Sequence, residues 1–217
     1  MLGLVPAGVA EVVVLGAHCD DVAIGAGATL LTLARAVPGL RVRALVLSGG
    51  GTPREAEERA ALAAFCPGAD LRVTVLDFRD GRLPDQWNQA KDELEAFRAT
   101  CEPDVVIAPS AHDHHQDHRG LARLVPTVFR DHLVLGYEIL KAEADLAQPL
   151  VSVPVTDEVL TEKCRLLHEH YPSQRARTWF DDEAFRGLAR LRGVQSGHRY
   201  AEAFHPVRLV LDVGAAR

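Results

Sequence analysis

Short apolar runs alternate with amphipathic stretches through the first half of the chain. The run Glu11–Ala17 (EVVVLGA) is β-branched, brief and bounded by polar residues, which reads as a strand buried on both faces of a sheet. Ile24–Val37 (IGAGATLLTLARAV) then carries apolar residues at helical spacing, with small residues near its start that permit close packing on a sheet. The alternation continues with a strand over Arg41–Ser48, a helix over Pro53–Phe65, a strand over Leu71–Asp77, a helix near Asp85–Thr100 and a strand over Asp104–Pro109. Strand and helix alternating at this spacing imply right-handed βαβ crossovers, hence an α/β fold, a Rossmann-like three-layer α/β/α arrangement with a mostly parallel sheet. Beyond residue 119 the pattern predicts a helix near Gly120–Asp131, strands over Leu133–Ile139 and Pro149–Val155, helices over Thr156–His170 and Asp181–Arg192, and a last strand near Arg208–Val213. No repeat, low-complexity tract or Pro/Gly linker interrupts the chain, so residues 1–217 are expected to form a single domain.

Composition narrows the function. With 47% hydrophobic and 25% charged residues the chain is an ordinary globular sequence, which excludes disordered and fibrous architectures. Its 24 Lys+Arg against 30 Asp+Glu give a net charge of −6, so no general attraction to nucleic acid or to anionic membranes is expected; a small polar molecule is the default partner. The 4 cysteines, Cys19, Cys66, Cys101 and Cys164, have no CxxC spacing, which argues against a zinc ribbon or redox pair and suits a reducing compartment. No apolar stretch approaches the roughly 18 to 20 residues needed to span a bilayer, and no Lys or Arg precedes the first apolar run, so the protein is expected to be cytoplasmic with no membrane span.

Two polar clusters carry the candidate chemistry. Ala17-His18-Cys19-Asp20-Asp21 follows the first strand, and Ser110-Ala111-His112-Asp113-His114-His115-Gln116-Asp117-His118 follows the fourth. Ligands of open α/β sheets bind at the carboxyl ends of strands, and in the common order 3-2-1-4 the first and fourth strands are neighbours, so the clusters would meet. An imidazole and a carboxylate from the first, with an imidazole from the second, would make a three-ligand divalent metal site with an open position, the catalytic type. Adjacent aspartates also serve as helix N-caps, and that reading stands beside the metal one for Asp20 and Asp21. Four histidines and two aspartates in residues 112–118 exceed what a solvated loop requires.

These residues resemble the LmbE-like, or PIG-L, zinc-dependent de-N-acetylases. AHCDDVAIGAGATL, residues 17–30, is similar to that family's AHPDDE motif and its Gly-rich helix start, and HQDH, residues 115–118, to its HxDH motif. The likeness extends through Asp80-Gly81-Arg82-Leu83 and Ser173-Gln174 to Tyr200-Ala201-Glu202-Ala203-Phe204. The resemblance implies that His18, Asp21 and His118 are the zinc ligands and that Asp20 is the general base on the attacking water. It implies that His115 is the imidazolium that stabilises the oxyanion and protonates the leaving amine, with Asp117 orienting a histidine, His115 in the first instance. Asp113 completes a DxHxDH pattern and joins Arg54, Ser173 and Gln174 as substrate-side candidates. The implied substrate is a small N-acetylated amino sugar, such as N-acetylglucosamine, or its conjugate. A His₂Asp site also accepts iron, manganese or cobalt, and relatives are often homo-oligomers.

The chain departs from the family pattern at Cys19, where the family has Pro, and at Val22, where it has Glu. Cys19 is not needed as a ligand, because the open three-ligand set is complete without it. Ser48-Gly49-Gly50-Gly51-Thr52-Pro53-Arg54 opens the second helix without the GK[ST] of a P-loop and reads as a Gly-rich turn. Arg54 either reaches an anionic part of a substrate or belongs to a solvated helix face. Two other functions remain at this point: an HD-type metal phosphohydrolase, whose relatives are all-helical, and a non-catalytic α/β module that binds a sugar or nucleotide.

Overall fold

In the computed structural model, which describes residues 8–210, the elements run β1 (Glu11–Gly16), α1 (Asp21–Ala36), β2 (Arg41–Val46), α2 (Pro53–Phe65), β3 (Asp70–Val75), α3 (Trp87–Arg98), β4 (Val105–Pro109), α4 (Gln116–Val128), β5 (Leu133–Tyr137), β6 (Val151–Val155), α5 (Asp157–His170), α6 (Asp182–Ser196) and β7 (Tyr200–Pro206). The strands form one sheet in the order β3-β2-β1-β4-β5-β7-β6. The neighbours from β3 to β5 pair in parallel, and β7 runs antiparallel to both β5 and β6. This is the expected α/β architecture with a mostly parallel sheet, and it leaves no room for an all-helical HD-type arrangement. Among the described residues no helix is long and apolar enough to cross a membrane.

Side chains alternate across the sheet and build two cores. On β1, Val12 and Val14 face one core with residues of α1, α2, α5 and α6, while Val13 and Leu15 face the other with residues of α3 and α4. Each of these four is fully shielded from solvent, and burying such a side chain stabilises a fold by roughly 1.5–3 kcal/mol. A strand buried on both faces explains the continuous apolar run of β1.

Two boundaries differ from expectation in a way that matters for the site. Helix α1 begins at Asp21 rather than Ile24, and α4 begins at Gln116 rather than Gly120. The polar clusters are thus helix starts as well as strand ends. The last strand is a correction: it occupies Tyr200–Pro206, not 208–213, and residues 208–210 are irregular while 211–217 lie outside the described residues. The sequence there misleads because β7 carries a charge at a core position. The buried Glu202 carboxylate accepts the N–H groups of Ala28 (2.9 Å) and Thr29 (2.7 Å), the Thr29 hydroxyl (2.6 Å) and the ammonium of Lys163 (2.7 Å). A buried charge this well paired is tolerated, but no local pattern reveals the pairing.

Gly25, one turn into α1, lies against Tyr137 on β5. A Cβ at that position would come within 2.3 Å of Tyr137 Cδ2, and the ring is fixed by burial and by its O–H, which donates to the Leu15 carbonyl at 3.0 Å. Gly25→Ala gains up to ~1 kcal/mol of helix propensity but overpacks a fixed ring, at about 1–3 kcal/mol. The variant is therefore expected to have a lower urea midpoint than the wild type, as measured by circular dichroism; an equal or higher midpoint would show that the ring yields.

Candidate metal centre

The parallel pairing of β1 with β4, Val12 to Val105 through Val14 to Ile107, sets the two strand ends side by side. His18 lies just past β1, Asp21 opens α1, His115 caps α4 and His118 lies in the first turn of α4. The three imidazoles converge, with ring centroids 4.9 Å apart for His18 and His115, 5.1 Å for His18 and His118, and 4.8 Å for His115 and His118.

His18 Nδ1, His118 Nε2 and the Asp21 carboxylate lie close together. His18 Nδ1 is 3.1 Å from His118 Nε2, His118 Nε2 is 3.2 Å from Asp21 Oδ1, and His18 Nδ1 is 3.5 Å from Asp21 Oδ2. Ligands about 2.0–2.1 Å from a tetrahedral ion are separated by about 3.3 Å, so the residues fit a divalent cation at three vertices of such a site. The far nitrogens agree with this. His18 Nε2 faces Asp117 Oδ2 at 3.0 Å and Asp80 Oδ1 at 3.1 Å, and His118 Nδ1 faces Asp113 Oδ2 at 2.7 Å. A carboxylate that holds the proton on the outer nitrogen leaves the inner one free to ligate.

Two expectations need correction here. The Asp117 carboxylate does not orient His115: it holds His18 and accepts the backbone N–H groups of Gly81 (2.7 Å) and Leu83 (3.0 Å), and only its own backbone N–H reaches His115, donating to Nδ1 at 3.4 Å. Asp113 does not lie on the substrate side either. It is buried behind His118, where it also accepts from Lys141 Nζ at 2.7 Å and from the His115 N–H at 2.7 Å. Asp80, named in the sequence only as part of a stretch of family likeness, is a further partner of His18.

Asp20 stands apart from the three converging donors. Its backbone is left-handed (φ 107°), a conformation that costs a non-glycine residue roughly 1–3 kcal/mol. Asp21 meanwhile anchors Oδ2 on the N–H groups of Ala17 (2.9 Å) and His18 (2.8 Å). The Asp20 carboxylate accepts from Arg54 Nη2 at 2.9 Å, and the same guanidinium contacts the Cys19 carbonyl and donates to Ser173 Oγ at 2.7 Å. Arg54 is therefore tied to the site. Ser173 is tied to Arg54 and Glu57, outside the cleft. Cys19 is buried, its Sγ donating to the Ser48 carbonyl at 3.4 Å, and burial pushes its thiol pKa up, consistent with a packing role. At Gly49 (φ 105°) a Cβ would lie 2.6 Å from that sulfur, so the glycine makes room for Cys19.

The whole constellation opens into a cavity of about 730 Å³, within the size range of small-molecule sites. His18, Asp20, Asp21, His115 and His118 form its floor, and Arg54, Gln174 and Trp179 are among its walls. Trp179 places its indole along this cavity.

Electrostatics divide these residues. Burial, then the neighbouring Asp21 charge, pushes the Asp20 pKa up to about 8 against the pull of Arg54. Burial also opposes ionisation of Asp21, but His118 and His18 outweigh it and hold its carboxyl well below the usual value. For His118, burial is outweighed by Asp21 and Asp113, and the pKa rises to about 9. His18 is likewise raised, against burial, by Asp21, Asp117 and Asp80. His115 moves the other way, lowered by burial and by the positive charge of His118 and His18. With Nδ1 accepting from the Asp117 N–H, the neutral His115 ring carries its proton on Nε2.

The family described as PIG-L: GlcNAc-PI de-N-acetylase matches residues 13–129, more than half of the chain, including both polar clusters. The chain belongs to the PIG-L family. It is 27% identical to the diacetylchitobiose deacetylase of Thermococcus kodakarensis over 226 residues, covering 89% of this chain and 82% of that one. Among solved structures it is similar to the N,N'-diacetylchitobiose deacetylase of Pyrococcus horikoshii (TM-score 0.71, 23% identity, 92% of this chain and 84% of that chain). It is similar to the same degree to GalB, the 4-carboxy-2-hydroxymuconate hydratase of Pseudomonas putida KT2440 (TM-score 0.71, 19% identity, 95% of this chain and 100% of that chain). One fold thus hosts a hydratase and a deacetylase, and the reaction has to be argued from the site of this PIG-L member.

The raised imidazoles give the PIG-L site a measurable property. A cation must displace the protons that the raised imidazoles carry on their inner nitrogens toward Asp21, while those toward Asp117 and Asp113 stay in place, so its apparent affinity rises with pH through the range of the raised histidines. Zinc titration by calorimetry in buffers of differing ionisation enthalpy should show at least one proton released per ion, and His118→Ala should lose the ion. Zinc binding without proton release, or unchanged in the variant, would contradict the ligand set.

Proposed function

We propose that the protein hydrolyses the N-acetyl amide of an amino sugar or its conjugate, releasing acetate and a free amine, with a divalent cation held by His18, Asp21 and His118. The observation that carries this reading is a carboxylate, Asp20, beside three converging donors yet outside them, facing the same cavity. Zinc is the first candidate on ligand chemistry; when bound, it supplies Lewis acidity toward a carbonyl oxygen and makes water a better nucleophile near neutral pH.

The chain's own residues supply the proton chemistry. Asp20, with its raised proton affinity, takes a proton from the water that attacks the acetyl carbon. His115, with Nδ1 engaged by the Asp117 N–H, presents Nε2–H to the developing oxyanion. As the C–N bond breaks, Asp20 returns the proton to the departing nitrogen, so the acetyl carbon leaves as acetate and the sugar keeps the amine. Asp117 and Asp113 orient His18 and His118. The cavity volume suits a mono- or disaccharide, and the indole of Trp179 offers an apolar wall for a sugar ring.

The likeness to diacetylchitobiose deacetylases directs a first screen to N-acetylglucosamine and diacetylchitobiose. Acetate release by zinc-loaded wild type, with Asp20→Asn keeping its ion but losing turnover by about 10²–10⁴-fold, is the expected result. Undiminished turnover in the variant would remove Asp20 as the base. Sugar binding by fully metallated wild type without acetate release would favour a binding module.

A further inference from the structure

We infer that Glu58, with Tyr171, is a positioning pair that holds Asp20 in its left-handed conformation and so aims its carboxylate into the cleft. This rests on the reading of Asp20 as the base. Among the described residues only Asp20 and Ala144 are non-glycines with positive φ, and such a conformation persists only where the surroundings over-determine it. The Asp20 carbonyl is engaged by the N–H of Ile24 at 2.9 Å, part of the start of α1. The Asp20 N–H donates at 2.8 Å to Oε2 of Glu58 on α2. The same oxygen accepts the Tyr171 hydroxyl, at the end of α5, at 2.7 Å.

Glu58 and Tyr171 are both fully buried, and the other Glu58 oxygen, Oε1, is buried with no hydrogen-bond partner. An unsatisfied buried carboxylate oxygen opposes stability, and an apolar residue of similar size would serve packing better. What an apolar residue cannot supply is an acceptor for the Asp20 N–H. Glu58 does not line the cavity, and its hydrogen bonds involve neither His18, Asp21 nor His118. Its removal therefore separates aim of the base from possession of the metal. Arg54, one turn before Glu58 on α2, grips the carboxylate of the same residue, so one helix holds both ends of Asp20.

The test uses zinc-loaded Glu58→Ala, Glu58→Gln and Tyr171→Phe, with kcat, KM, zinc content and a crystal structure for each. In Glu58→Ala, kcat is expected to fall on the order of tenfold or more while KM stays within about threefold and zinc content is unchanged, with Asp20 relaxed to negative φ. Glu58→Gln, whose amide oxygen can accept the same N–H, should recover kcat to within about threefold of wild type, and Tyr171→Phe should fall between. An unchanged kcat and Asp20 φ in Glu58→Ala, or Gln no better than Ala, would overturn the inference; if Ala does not fold, Gln and Phe decide it by the same measures. The Asp20 φ is read without substrate. A wild type that cleaves no N-acetyl sugar, but whose Asp20 φ depends on Glu58, would sink the deacetylase reading and leave the structural clamp standing.

Discussion

Val12, Val13 and Val14 pair in parallel with Val105, Val106 and Ile107, and through that short ladder two segments about a hundred residues apart meet at the carboxyl ends of two neighbouring central strands. The ladder aligns the strands in register, so His18 arrives opposite the start of α4. There its imidazole is used on both sides: Nδ1 faces His118 and Asp21, and Nε2 faces Asp117 and Asp80. An imidazole can serve as a ligand only on the nitrogen its other partner leaves free. The Asp117–His18 contact therefore fixes the direction of the whole centre, and Asp113 does the same for His118.

Two adjacent carboxylates acquire opposite properties from this arrangement. Asp21 accepts two backbone N–H groups and faces two imidazoles, which hold it ionised. Asp20, turned away by its positive φ, keeps Arg54 as its charged partner in a buried setting, and its proton affinity rises. A pair of neighbouring acids driven apart in pKa is a recurring way to obtain a fixed charge and a proton carrier from the same residue type. In the proposed reaction, the sharp turn at Asp20 would separate metal holding from proton transfer within a dipeptide.

The β-branched runs of β1, β2 and β4 declare their strands because burial on both faces leaves a continuous apolar signature, while β3 at the sheet edge is only half-buried. The two polar clusters are legible because strand ends in such sheets are where ligands bind, and the family resemblance singles out His18, Asp20, Asp21 and His118 within them. What escaped were pairings made across the fold. Glu202 disguises β7, since its charge is neutralised by Lys163 and by the amides of α1, far away in sequence. Glu58 looks like any glutamate of a solvated helix face, and only the fold puts it under Asp20. Asp117 was seen as an orienting group, but its partner depended on side-chain direction at the start of α4, which one residue of helix rotation changes. The sequence allows Arg54 either a substrate contact or a solvated helix face, and the fold places it on Asp20.

In the proposed centre the cation occupies the inner side of His18. Anomalous diffraction from zinc-soaked crystals tests it directly. A single strong peak bonded to His18 Nδ1, His118 Nε2 and Asp21, with Asp117 still on His18 Nε2, is the result the account requires. A peak bonded instead to His18 Nε2 with Asp80 and Asp117, the other side of the same ring, or no peak in the cleft at all, would contradict it.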